Sequence, residues 1–148
     1  ETDPPPERGS ALRGTFMSAV FAMLSTHLDA CRDGQVVALH GPRGVLVPRV
    51  TIARSFMRRL RGRLGTRDFP AGEGLLLVPC KEIHMLGMKY PLDVVFLDRE
   101  LTVLAMRRDL PPGTLQLALN GAYCTLELPM GTLDGHWKDG MRLALHPA

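Results

Sequence analysis

The sequence predicts a mainly β domain, compact and sandwich-like or barrel-like, with a few short helices and an N-terminal amphipathic helix. Three observations carry that expectation. Brief apolar or alternating runs recur from Val36 to the end, separated by Gly, Pro and Asp signals, which is the spacing of a sandwich or barrel. With 15 Gly and 12 Pro, the chain turns too often for long helices. Its 148 residues, 45% apolar and 22% charged, are enough to bury one core without metals or disulfides as staples.

In chain order, residues 1–13 open with "ETDPPPERGS", which has too little apolar surface to offset the entropy of ordering, so a flexible tail is expected. Residues 14–33 change pattern. Phe16, Met17, Val20, Phe21, Leu24, Leu28 and Cys31 recur at helical spacing and Gly34 follows as a stop, predicting an amphipathic helix docked on the domain. The alternative is an export signal, given Arg8 and Arg13 ahead of an apolar stretch and "LDAC" at 28–31, but Asp29 is wrong for that box.

A β domain is expected over residues 35–148. "VVALHGPRGVLVPRVTIA" reads as a hairpin, because branched residues flank a Gly-Pro breaker. "SFMRRLRGRLG" reads as a short helix, with Ser55 as N-cap, Phe56, Leu60 and Leu64 on one side and Gly65 as the stop. "GLLLVPC", "LDVVFLD", "LTVLAM", "AYCTLELP" and "MRLALH" supply the remaining strands, with a tight turn at "DRE" joining two adjacent antiparallel ones.

The net charge of +3 is modest, yet Arg54, Arg58, Arg59, Arg61, Arg63 and Arg67 crowd one segment. A phosphate or nucleic-acid grip is one reading. With aromatics at 5% and no recognition-helix or base-stacking motif, a solvated basic face with one structural arginine is the better one, and no nucleic-acid partner is expected. Cys31, Cys80 and Cys124 are odd in number and contain no Cys-x-x-Cys pair, which fits a reducing compartment or at most one disulfide. No apolar run is long enough to span a bilayer. The cytoplasm is therefore favoured, export remaining open should an upstream signal have been removed. Oligomeric state is not legible.

From about Val45 onward the order of motifs resembles a bacterial and archaeal family, domain of unknown function 192. "RLRGRLG" at 59–65 is similar to its Arg-x-x-Gly-Leu-x element, "GEGLLLVPC" to the strand that follows, and "IHMLGMKYPLDVVFLD" to its signature segment. "GAYCTLELPMG" and "KDGMRLALH" resemble its last two strands. The resemblance implies a compact mainly β domain and no particular reaction, and members occur with and without export signals. Arg63 stands where that family usually has Leu, and Met85-Leu86 replace a commoner Thr-aromatic pair, so a pocket lined by these positions would differ here.

The candidate site is the loop from Cys80 to Pro91. Polar groups concentrate there while no complete catalytic set is found elsewhere, so a non-catalytic small-ligand-binding or accessory module is expected, with Arg59, Cys80, His84, Met88 and Asp93 as its residues and an unidentified small molecule or protein as partner. Thiol, imidazole and thioether at Cys80, His84 and Met88 are also soft ligands for copper, although Pro and Gly make this a loop, where regular spacing does not ensure convergence. No cofactor is expected otherwise, and Met88 reads more simply as packed. A Cys-dependent hydrolase, with Cys80 as nucleophile, His84 as base and Asp93 as orienter, lacks any oxyanion signature, so an enzyme is not the favoured reading. Asp93 falls inside a strand, where it faces solvent or is buried with partners. The structural reading makes it an anchor for amides of "HMLGMK" or a partner of Arg59.

Overall fold

Gly-Pro and Gly breaks cut the chain into nine strands, of which seven form one sheet in a computed structural model that describes residues 26–148. The strands are β1 (Val36–Gly41), β2 (Gly44–Ala53), β3 (Glu73–Leu77), β4 (Glu82–Ile83), β5 (Leu92–Leu97), β6 (Val103–Leu110), β7 (Leu117–Ala118), β8 (Cys124–Pro129) and β9 (Ala144–Pro147). One α-helix, α1 (Phe56–Arg61), lies between β2 and β3. The main sheet runs β6-β5-β8-β3-β2-β1-β9, and β4 pairs with β7 in a separate two-stranded ribbon. All pairings are antiparallel except β2 with β3.

The mainly β expectation holds, and the sandwich-or-barrel alternative resolves into an open sheet whose two ends are tied. Thr102, just before β6, forms a bridge with Arg142, just before β9. The amide of Val103 donates to the carbonyl of Met141 at 2.9 Å, and that of Leu143 to Leu101 at 2.9 Å. The ends of the strand order therefore meet along this short seam.

Strand alternation divides the buried side chains between two faces. Val37, Leu39, Val50, Ile52, Leu76, Val95, Leu97, Leu126 and Leu128 fill the larger core, sealed by Leu133, Trp137, Leu143 and Leu145. On the other face, Leu92, Val94 and Phe96 of β5 pack with Ile83 and Met85 under the β4-β7 ribbon, and Ala53, Leu75 and Leu77 form a smaller cluster beside them. The predicted hairpin forms as β1 and β2 around Pro42-Arg43. The "DRE" turn forms as well, with Asp98 Oδ1 accepting from the amides of Glu100 (3.0 Å) and Thr102 (2.9 Å).

Several expectations need correction. The predicted tail and most of the predicted amphipathic helix lie outside the described residues. The described end of that helix is not α-helical: Thr26 bridges Leu145, and Leu28–Ala30 form one 3-10 turn. Leu28 and Cys31 are nevertheless buried in the larger core. Helix α1 is capped by Ser55, whose Oγ accepts from the amide of Arg58 at 3.2 Å, but it stops at Gly62, whose φ of +50° is glycine's territory, and not at Gly65. Its apolar side faces outward, with Phe56 and Leu60 exposed. The strands β4 and β7, two residues each, had no sequence signal.

Candidate functional site

Parallel strands cannot be joined by a tight turn, so the chain leaves the sheet after β2 and returns at β3 through residues 54–72, which carry α1. Arg54 and Arg58 of this crossover tie it to residues 28–33. Arg54 Nε donates to the carbonyl of Cys31 at 2.7 Å and its Nη2 to that of Leu28. The Asp33 carboxylate accepts from the amides of Arg54 (2.7 Å) and Ser55 (3.1 Å) and from Arg58 Nε (3.2 Å). Those two amide bonds are the main reason its pKa is lowered to about 2. The expected solvated face with one structural arginine is thus corrected, since Arg54 and Arg58 both hold the 28–33 segment.

Arg59 joins the crossover to the candidate loop, its Nε donating to the carbonyl of Arg54 (3.0 Å) and its Nη1 to that of Pro79 (3.1 Å). Between these two walls lies a cleft of about 430 Å³, a size suited to a small molecule. Arg59, Cys80, His84 and Met88, four of the five residues chosen from the sequence, line it. So do Arg61, Arg63, Lys81 and Glu127.

The loop side is built on Cys80, whose amide donates to the carbonyl of Tyr123 (2.8 Å) and whose carbonyl accepts from Thr125 Oγ1 (2.9 Å). Its thiol, half-buried, donates to the carbonyl of Glu82 at 3.0 Å, and burial pushes its pKa up. A thiol that is protonated and aimed at a carbonyl is a poor nucleophile. His84 is exposed and Met88 is half-buried against the second-face cluster. The fully buried methionine of the loop is Met85, whose amide donates to Thr114 (2.8 Å) and whose carbonyl accepts from the amides of Met88 (3.2 Å) and Gly113 (2.9 Å). Among the described residues, no group of three His, Cys, Asp or Glu side chains is placed to hold a metal ion.

Asp93 is not part of this cleft. It lies on the larger-core face, 1% exposed, where Oδ1 accepts from the amide of Asp109 (3.0 Å) and Oδ2 from those of Gly131 (3.1 Å) and Leu133 (3.0 Å). It is an amide anchor, but its donors come from β6 and the turn after β8, not from the 84–89 loop, and Arg59 is not its partner. An Asp93 so engaged does not orient His84 either.

Glu127 is the residue that sequence reasoning missed. In β8 it lies between Leu75 of β3 and Val94 of β5 on the second face, at 5% exposure. Desolvation raises its pKa to about 7, with the Arg63 guanidinium and amide pulling it part of the way back. Its Oε2 has no hydrogen-bond partner among the described residues, and neither does the buried Nε of Arg63. The Arg63 side chain is fixed by Nη2 donating to the carbonyl of Asp68 (2.8 Å) and by its guanidinium lying 4.0 Å over the Phe69 ring. Gly62 completes the packing: a Cβ there would stand 3.1 Å from Glu127 Oε1. The available signal was the carboxylate inside "CTLELP", the same kind of signal that drew attention to Asp93.

The model of the DUF192 family, described as "Uncharacterized ACR", matches residues 37–145. No curated protein matches the chain. Among solved structures, a protein of unknown function from Novosphingobium aromaticivorans DSM 12444 is similar, with a TM-score of 0.64 and 22% identity over 73% of this chain and 82% of the other. A protein of Sinorhizobium meliloti 1021, described provisionally as a transcription regulator, gives a TM-score of 0.63 and 22% identity over 73% of this chain and 90% of its own. At such identity these two likenesses establish a shared fold.

Proposed function

The chain belongs to the DUF192 family, and we propose that it works as a small-ligand-binding or accessory module without chemistry of its own, through the cleft between the crossover and the 79–88 loop. The observation that carries this reading is the convergence of Arg59, Cys80, His84 and Met88 with Arg63 and Glu127 around one cavity. A second cleft of about 440 Å³, between the β1-β2 turn and residues 132–141, contains no comparable buried carboxylate, since its Asp134 is exposed. Apolar walls with a few polar groups converging on them are what a ligand site requires.

Catalysis is not part of the proposal, because the Cys80 thiol is held as a donor and Asp93 lies on the opposite face of the sheet. Nucleic acid is not part of it either, since Arg54 and Arg58 are engaged with residues 28–33. The three cysteines are unbridged, which supports a reducing compartment such as the cytoplasm. Among the described residues, no helix is long and apolar enough to cross a membrane.

The test is a fragment screen by two-dimensional NMR on the full, ¹⁵N-labelled chain. Binding fragments should shift the amides of residues 59–64, 80–88 and 127. A set of hits confined to the cleft beside Trp137, or no hits at all, would sink the reading.

A further inference from the structure

Resting on that reading of the cleft, we infer that its ligand is an amphiphilic organic anion, the charged group held at Arg59 and the apolar body lying along Phe56, Leu60 and Leu86. The charge of the cleft is one-sided. Four cations line it, Arg59, Arg61, Arg63 and Lys81, against two acids, Glu82 and Glu127. Neither acid closes an ion pair with them: among the described residues the ion pair present is Arg58 with Asp33, at 3.2 Å. Glu82 accepts from Gln116 Nε2 at 2.9 Å, and burial raises the pKa of Glu127 to about 7, so its carboxyl carries only part of a charge near neutrality. A cleft lined by charge of one sign concentrates ligands of the other.

Arg59 is the cation prepared for an anion. Arg58 is paired with Asp33, whereas the partners of Arg59 are two neutral carbonyls, those of Arg54 at 3.0 Å and Pro79 at 3.1 Å. These bonds engage Nε and Nη1, fix the plane of the guanidinium and leave Nη2 without a hydrogen-bond partner among the described residues. A guanidinium fixed in advance loses little freedom when it binds a carboxylate or phosphate. Phe56 and Leu60 come from α1 with Arg59, and Leu86 comes from the facing loop. All three are exposed although large and apolar. Scattered singly such residues are ordinary, but three on one cleft beside unpaired cations suit an amphiphile. Arg59 is half-buried, which favours a molecule entering the cleft over a surface laid across it.

Three probes separate charge from apolar body: octanoate, octylammonium and acetate, each titrated into the full ¹⁵N-labelled chain at neutral pH. Octanoate should bind roughly tenfold or more tightly than either of the others, with shifts at residues 59–61 and 80–86. Lys81→Gln, an exposed position, should weaken octanoate and strengthen octylammonium, and Leu60→Asn should weaken octanoate while leaving acetate unchanged. Arg59→Gln should abolish the preference for the anion, its urea midpoint showing whether the fold survives. Equal binding of octanoate and octylammonium in the cleft would overturn the anionic class while leaving the cleft as a binding site. Sedimentation with vesicles of phosphatidylglycerol and phosphatidylcholine, without shifts from octanoate, would make this face a membrane contact and overturn the cleft ligand. Absence of shifts in the cleft with all three probes and no sedimentation would overturn both the ligand and the reading beneath it.

Discussion

Replacing Glu127 with Gln should remove a pH dependence of stability that the wild-type chain shows between about pH 5 and pH 8. The carboxyl has an ordinary pKa of 4.5 when the chain is unfolded and is raised to about 7 by burial when it is folded. Between these values the folded state holds the proton more tightly than the unfolded one, so the stability present below the lower value is lost as pH rises towards the upper one and then levels off. Weighing both titrations, roughly 2 to 3 kcal/mol is lost between pH 5 and pH 8, on the order of 1 to 2 M in urea midpoint. Gln does not titrate. His40, whose pKa is lowered by burial and by His146, works in the opposite direction as pH falls below 6.5, but it is common to both proteins and cancels in their difference. The assay is urea denaturation of wild type and Glu127→Gln at matched pH values, with m-values compared to confirm the same transition. The difference should move steadily in favour of the variant from pH 5 to pH 8. Parallel curves would show that Glu127 is solvated or fully paired in the folded state, contrary to the burial described for it.

Asp93→Asn should cost about 2 to 4 kcal/mol, because its amide nitrogen cannot accept and at least one of the amides of Asp109, Gly131 and Leu133 loses its partner. Unchanged hydrogen-exchange protection at those three amides would refute this. Met85→Ala should cost about 2 to 5 kcal/mol as a buried cavity, and Met88→Ala clearly less, since Met85 is 1% exposed and Met88 is half-buried. Denaturation midpoints in the reverse order would contradict the packing described for the loop. Alkylation near neutral pH should be slow at Cys80, whose thiol is raised by burial, and negligible at Cys124, pushed up to about 12, until the chain unfolds. Mass spectrometry of timed iodoacetamide reactions reads both rates, and rapid modification of Cys80 would reopen the nucleophile reading.

Much of the sheet was legible because its signals are local. The hairpin of β1 and β2 announces itself in branched residues around a Gly-Pro turn, and Ser55 and Asp98 cap the turns of chain they adjoin. Arg59, Cys80, His84 and Met88 were found because polar and soft side chains cluster in and beside one loop. What failed was non-local. The alternation of β5 placed Asp93 opposite Val94, but the donors of its bonds come from β6 and residues 131–133, which only sheet register brings near. Glu127 gave the same local signal, yet its burial depends on having Leu75 and Val94 as lateral neighbours, and strand order alone decides that. Periodicity likewise showed that α1 has an apolar side without saying what covers it. Phe56 and Leu60 remain in solvent at the edge of the cleft. The ribbon of β4 and β7 is too short for any period to register.

The single parallel pairing among the described strands, β2 with β3, has a bearing on how this scaffold could diversify. Hairpin partners inherit their alignment from the turn between them, so a residue added there displaces a whole row of side chains. The excursion through residues 54–72 is under no such constraint, because the alignment of β2 and β3 is set by their own ladder and by β8 on the far side of β3. Insertions and replacements in it leave the hairpins of β1-β2 and β5-β6 untouched while remodelling the wall that carries Phe56, Arg59, Leu60 and Arg63. The architecture thus separates a frame whose register is fixed by its turns from one segment whose length and composition can change without shifting that register.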